Sequence, residues 1–564
     1  LKGNALQPLN CKDTIVFRTA DGRQVEVPVT LNVALDDTLS FDVEEGDWSK
    51  TTLWTYNLRH DHGLLPTAAT PVEIAQPVTI TTHTEVYSIL LRDGGKITIA
   101  STGGLTVYAG GITGANKDNL IIESNSKGAG FFRMSPAAET AMPEATVLYT
   151  TKSTLDTGVD KDATWQYVGA PAAGVYFDKN GRTWISRWDE QHGWIEETEA
   201  FEMVPFAGYT ITQYGQPTYA LAGQLIQDDQ DIVLSHKATG DNVFANSYVA
   251  PIDVKNFTVE DFDEGVERTF YLFNAGSWNQ WNAGESDSTN LGGNGDNTPG
   301  HYGAIPVLLA DKYDSRYDIT TIPPMQGVYV IANTDGAMIH LDYEKHVWNA
   351  QGARMNEPMR AQRHGSDVVE RRLRVQVNSS HSGADRIYLF EDTLYSEGYD
   401  NGYDAIKQVA DGLANLYISA SFGKAEVAAT DHIDSTYIGF VAGEDDNYML
   451  TFTSLIGDSL YLQDTENDSV LAITEGGRYV FYATPKTDNS NRFRVLTERP
   501  QKTTPAVPTD VPVSMYDTKQ PVALYTIGGA LVRKAANGAV STTGLPAGVY
   551  ILRNGNTSTK VVHY

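Results

Sequence analysis

The chain has 564 residues, a formal net charge of −29 and a single cysteine; a length of this order implies roughly three to five domains. The acidic balance opposes nucleic-acid binding, which needs clustered Lys and Arg, and the lone Cys11 excludes an intrachain disulfide or a Cys-based zinc cluster. No apolar run approaches the ~20 residues of a membrane span, while 50 glycines and 30 tyrosines favour strands and turns, so the expected class is all-β and multidomain.

The sequence opens at Leu1 without a basic segment leading into an apolar one, so an export signal is expected to have been removed or never to have existed. Residues 1–75 are expected to form a short β region. Asp13–Phe17 leads into Asp21-Gly22, and Val25, Val27 and Val29 then alternate with polar or turn residues, the pattern of a hairpin. Over 76–145, apolar pairs recur at Val78/Ile80, Ile89/Leu91, Ile97/Ile99, Leu105/Val107 and Leu120/Ile122, with glycine turns between them. That density suggests a β-solenoid or a tight meander, which the following domain should cap.

Residues 146–350 contain a diverged internal repeat. Each copy has a strand ending near Pro (Trp165–Pro171; Val243–Pro251), then an aromatic hairpin (Arg187–Trp194; Leu272–Trp278), then a Pro turn feeding a glycine-led strand (Val204–Tyr209; Ile322–Tyr329). The polar stretch Gly284–Gly303 reads as an exposed loop. A linker or short helix is expected over 351–370, and a β-sandwich with turn-separated alternating strands over 371–499. A Pro-rich linker follows at 500–512, and then a small Ig-like C-terminal β module at 513–564.

The blocks Tyr399–Lys407, Tyr461–Asp464 and Asn491–Val495, with the closing Ile527-Gly528-Gly529 and Gly544–Tyr550 segments, resemble those of large secreted surface proteins of Bacteroidetes-type bacteria. In that group the tails serve the type IX secretion route. The resemblance implies export through the C-terminal module and display at the outer cell surface. It implies no particular chemistry, because such scaffolds carry many activities.

Catalytic motifs are not evident: the sequence has no HExxH, GxSxG, Walker A or Rossmann fingerprint. His192, His301, His340 and His346 are scattered without zinc-ligand spacing. Asp400, Asn401 and Asp404 offer oxygen ligands on a glycine-shaped turn. Two readings stay open for them, local bonding to backbone N–H groups or a calcium site. The candidate ligand-binding residues are Trp188, Trp194, Trp278 and Trp281, with Asp189, Asn279 and Gln280 as polar grips; indole faces stack on sugar rings while amides and carboxylates hold hydroxyls. Trp188 and Trp278, in equivalent repeat positions, also fit a core role, whereas Trp281 borders the polar insertion.

Three functions follow as expectations. The first is an exported surface β protein acting in adhesion, in binding a glycan or other host or cell-surface ligand, or as a scaffold. The second is a secreted glycan- or peptide-active hydrolase, which would need two convergent carboxylates. The third is a purely structural surface component.

Overall fold

The computed structural model of the chain describes residues 9–18, 24–33, 36–60, 63–125, 127–151, 165–179, 182–215, 217–273, 300–314, 320–349, 371–379, 383–485, 488–500, 521–536, 540, 544–546, 548–555 and 557–563, the first two segments by their backbone alone. Strands dominate, and the helical elements are single turns, as the all-β class requires. The turn at Asp21-Gly22, the linker at 351–370 and most of the Pro-rich segment at 500–512 lie outside the described residues. Two compact units are present, 1–499 and 500–564.

The first unit opens with a hairpin, β1 (Leu9–Arg18) and β2 (Gln24–Val33), that pairs Ile15 with Val27 and Phe17 with Val25. The chain then alternates between two sheets through β3 (Leu39–Phe41), β4 (Gly46–Asp47), β5 (Trp54–Thr55), β6 (Pro71–Ile74), β7 (Pro77–Ile80), β8 (His83–Leu91), β9 (Lys96–Ile99), β10 (Gly104–Thr113), β11 (Leu120–Asn125), β12 (Gly128–Ala129), β13 (Phe131–Met134) and β14 (Glu144–Thr150). One sheet runs β13-β10-β8-β6-β3-β5 and the other β14-β11-β9-β7-β4. The pairs are parallel except β3 with β5 and β11 with β12. A meander would make neighbouring strands antiparallel. This pairing starts at β3, inside the stretch expected to form a separate N-terminal region.

The period-two alternation explains the interior. Val78, Ile97 and Leu120 align in one row, and Ile80, Ile99, Ile122 and Val147 in the next. All seven are buried, each contributing ~1.5–3 kcal/mol relative to exposure. The turns repeat as well. Arg92 N–H donates to Ile74 O and Gly95 N–H to Arg92 O; Ala100 and Gly103 make the same two bonds to Ile80 and Ala100. A Cβ on Gly95 or Gly103 would stand 2.1 Å from the carbonyl oxygen of Ile74 or Ile80, so the close backbone approach demands glycine at both.

Next come β15 (Gln166–Val168), β16 (Tyr176–Phe177), β17 (Thr183–Asp189), β18 (Gly193–Glu196), β19 (Phe201–Glu202), β20 (Tyr209–Gln213) and β21 (Thr218–Gln224). They are followed by β22 (Gln230–Val233), β23 (Asp241–Ala245), β24 (Ile252–Asp253), β25 (Thr269–Phe273), β26 (Tyr302–Pro306), β27 (Thr321–Ile322), β28 (Gly327–Ile331) and β29 (Met338–Leu341). Strands β14 to β21 pair as β14-β21, β15-β20-β17-β18 and β16-β19. Strands β22 to β29 pair as β22-β29, β23-β28-β25-β26 and β24-β27, so adding eight to each strand number converts one set into the other.

The two copies meet through reciprocal bonds. Gly169 N–H donates to Met325 O at 2.9 Å, and Ala245 N–H donates to Phe206 O at 3.1 Å. The bridges Val168 to Gln326 and Phe244 to Ala207 are likewise equivalent. An interface in which residue i meets j and j meets i is isologous, as in a two-fold dimer.

The remaining strands of this unit are β30 (Arg371–Asn378), β31 (Ala384–Glu391), β32 (Ala405–Ile406), β33 (Asn415–Ala420), β34 (Gly423–Thr430), β35 (Tyr437–Val441), β36 (Asp446–Ile456), β37 (Leu460–Asp464), β38 (Ser469–Ile473), β39 (Arg478–Ala483) and β40 (Asn489–Leu496). They form one eleven-stranded sheet with a core that includes Leu373, Ile387, Leu416, Phe452 and Phe493. A second apolar cluster, including Tyr271, Leu309, Tyr388, Phe390 and Val427, joins this sheet to the second copy. In the C-terminal unit, β41 (Val522–Thr526), β42 (Leu531–Ala535), β43 (Gly548–Asn554) and β44 (Thr557–His563) make a sheet in the order β42-β41-β43-β44, with Val522, Leu524, Tyr550 and Leu552 buried on it.

Candidate binding groove

The turn between β17 and β18 reads Asp189-Glu190-Gln191-His192. Asp189 Oδ1 accepts the amides of Gln191 (3.1 Å) and His192 (2.9 Å) and the His192 ring at 2.7 Å, and Gly193 closes the turn at φ +75°. The His192 bond is the main cause that holds the Asp189 carboxyl below its usual range. Glu190 points the other way, into the second copy. Its Oε1 accepts the amides of Ala238 and Gly240, both at 2.8 Å, and its Oε2 accepts Lys237 N–H (3.0 Å) and the Ser235 hydroxyl (3.2 Å). Burial opposes its charge, but the Gly240, Ala238, Lys237 and Ser235 donors outweigh it and bring the carboxyl down to about 2.

Between this turn and the second copy lies an open groove of about 500 Å³. Trp188, Asp189 and Gln191 form one side, Phe206 and Val243 lie in its apolar part, and Val233, 65% exposed, stands in β22. The Trp188 indole N–H donates to Asp241 O at 2.8 Å, and Tyr329 OH donates to Asp241 Oδ1 at 2.6 Å. Neither Glu190, spent on four donors, nor Asp189, tied to His192, is placed as a general acid.

Trp188 also begins a run of half-buried rings. It meets Trp194, its cross-strand partner, at 5.0 Å, and Trp194 meets Tyr167 at 5.1 Å. Tyr167 stacks on Phe273 at 4.9 Å and shares a hydroxyl contact of 2.7 Å with Tyr302, which lies 5.6 Å from Tyr329. The run crosses from the first copy to the second. Each pair contributes ~0.5–1.5 kcal/mol beyond its buried area, so the run that starts at the groove with Trp188 also helps bind the copies together. Burial, first, and the neighbouring hydroxyl and carboxylate groups raise the Tyr302 and Tyr329 phenols. Trp278, Asn279, Gln280 and Trp281 fall within 274–299, outside the described residues.

The side chains of Asp400, Asn401 and Asp404 bond to different partners. Asp400 accepts the Ser396 amide (2.8 Å) and hydroxyl (3.0 Å). Asp404 accepts the amides of Asp400 (2.7 Å) and Ala429 (2.8 Å), and burial pushes its carboxyl up to about 7. Asn401 turns to the second copy, accepting Arg268 N–H at 2.7 Å and donating to Val266 O at 2.9 Å. Leu308 N–H donates to Gly402 O at 2.9 Å. The Asn401 and Gly402 bonds fasten this loop to the second copy. Three groups that could hold a metal do converge nearby, the exposed Glu397, Asp431 and His432. There both His432 ring nitrogens already face carboxylates, at 2.7 Å (Asp431) and 3.4 Å (Glu397).

The chain is 30% identical over 354 residues to the minor fimbrium subunit Mfa5 of Porphyromonas gingivalis. The match takes in 59% of this chain and 28% of that protein. This distant homologue is a fimbrium subunit, consistent with a Bacteroidetes surface protein. No family model matches the chain, and no solved structure matches it.

Of the described candidates, Trp188 and Asp189 line the groove and Trp194 backs them from the adjacent strand. Sequence reasoning missed Tyr167, Phe273, Tyr302 and Tyr329 as members of the aromatic run, and missed Glu190 as the plug between copies. The duplicated order of aromatic strands was the available signal for the rings. For Glu190 there was none, since its partners lie 45 to 50 residues away.

Proposed function

We propose that the chain is part of a cell-surface fimbrial assembly and that the groove beside Trp188 binds a carbohydrate. The carrying observation is the groove itself, in which an indole, an amide side chain (Gln191) and a carboxylate (Asp189) border an apolar wall. A sugar offers one apolar face and a rim of hydroxyls, which is the complementary surface. The likeness to a minor fimbrium subunit supports the surface role. The C-terminal unit is proposed as the export module. Within it, Tyr550 OH donates to Pro546 O at 2.7 Å.

The test is a glycan array probed with the purified chain and with Gln191→Ala, Val233→Arg and Trp188→Ala. Retention of a glycan by the wild type, weakened at least about tenfold in the groove variants, is the expected result. If no glycan is retained, the groove reading fails. The second reading, a structural seam only, is favoured by the Trp188 bond to Asp241 and would then stand.

A further inference from the structure

Lys407, Asp385 and Glu426 meet in the interior where the eleven-stranded sheet joins the second copy. Lys407 follows β32, Asp385 lies on β31 and Glu426 on β34, and β34 pairs with both other strands. All three side chains are fully buried. Lys407 Nζ stands 2.6 Å from Asp385 Oδ1 and 3.4 Å from Glu426 Oε2. Asp385 Oδ2 accepts Leu416 N–H at 2.7 Å, and Glu426 Oε1 accepts Ala304 N–H at 2.9 Å. His301, also fully buried, stands 3.8 Å from Asp385.

We propose that Lys407 and Asp385 condense into an intramolecular isopeptide bond, with Glu426 carrying the proton. A solvated ion pair would need none of this enclosure, and three ionisable groups without water are costly to keep charged. An amide removes two of the charges. The pair begins ionised; transfer of the ammonium proton to the carboxylate along the 2.6 Å contact gives a neutral amine facing a carboxylic acid. The Nζ lone pair then forms the N–Cγ bond. Leu416 N–H is already on Oδ2, where the negative charge of the tetrahedral intermediate develops. Glu426 takes a proton from Nζ and passes it to Oδ1. The Cγ–Oδ1 bond breaks, and Oδ1 departs as water. Lysine amine and aspartic acid become amide and water, Glu426 returns to its starting state, and no oxidant or co-reactant is consumed. Fixed proximity supplies what two free side chains in water lack. Burial also raises the Glu426 carboxyl, in keeping with a group that accepts and returns a proton.

The bond would close the chain over 385–407, the stretch that carries Asn401 and Gly402 onto the second copy. The experiment is intact mass spectrometry of the purified full chain after denaturation, followed by peptide mapping. The expected result is a mass lower than that of the sequence by one water, with a branched peptide joining the Asp385 and Lys407 fragments. Glu426→Gln should recover the unreduced mass while its circular-dichroism spectrum stays that of the wild type. A wild-type mass equal to that of the sequence overturns the proposal, as does a water loss that maps elsewhere; the wild-type reading does not depend on any variant folding.

Discussion

Phe206 and Met325 hold the same place in the two copies, each after a proline, each with a left-handed backbone (φ 61° and 63°), and each offering its carbonyl to the strand of the other copy. Non-glycine residues in this region carry strain that the surroundings must hold. Here the hold is mutual, so the two turns stabilise each other. The glycines just beyond them show the same reciprocity. A Cβ on Gly208 would stand 2.5 Å from Val243 O, and one on Gly327 would stand 2.6 Å from Tyr167 Cβ.

Gly208→Ala should therefore lower the thermal transition by the equivalent of ~1–3 kcal/mol, the cost of overpacking a close contact. Gly174→Ala meets no atom within 4 Å and is strained only by its φ of +72°, so its cost should be nearer ~1 kcal/mol. Differential scanning calorimetry of the two variants checks the order; equal shifts would contradict the seam.

Asn401→Ala removes the side-chain bonds to Arg268 N–H and Val266 O. A loss of ~1–3 kcal/mol is expected, because both backbone groups stay in a part-buried site without their partner. Hydrogen exchange is the sharper readout: the Arg268 amide should exchange faster in the variant, while amides in β30 and β36 stay protected.

Glu190 predicts an acid-sensitive junction. Its carboxyl lies at about 2 when folded, against an ordinary 4.5. The carboxylate's contribution is thus complete above about 4.5 and lost as the pH falls toward 2. Amide exchange at Lys237, Ala238 and Gly240 should rise selectively over that window, after correction for the intrinsic pH dependence of exchange. In Glu190→Gln the same amides should be less protected at neutral pH and show no such acid step.

Chelation should leave stability untouched. The Asp400, Asn401 and Asp404 side chains are engaged with backbone and hydroxyl donors, so adding a chelator in a thermal melt is expected to give an unchanged midpoint. A lower midpoint would show that a cation contributes after all.

Much of the architecture is legible because it is local. Val78/Ile80 and Ile97/Ile99 alternate since an interior strand face repeats every two residues, and the turns between them need glycine where backbones touch. What is not local stays hidden. Nothing in Ile97–Ile99 says that it pairs in parallel with 78–80 and 120–122. The glycine-shaped loop at Tyr399–Lys407 reads as a turn, yet Asn401 finds its partners 133 and 135 residues upstream. The tryptophans could be placed on hairpins, but whether an indole lines a groove, braces a seam or does both depends on which other strand faces it. Trp188 does both.

A stack of parallel strands carries no intrinsic length: each new layer offers the next the same row of donors and acceptors, and growth or end-to-end joining is limited only by whatever stops it. In this chain β14 takes β11 on one side in parallel and β21 on the other in antiparallel, from Glu144 opposite Gln224 to Thr150 opposite Thr218. The reversal is a terminator. It ends the parallel stack in that sheet and covers β14, so the edge left there is the antiparallel strand β21 and not another parallel rung.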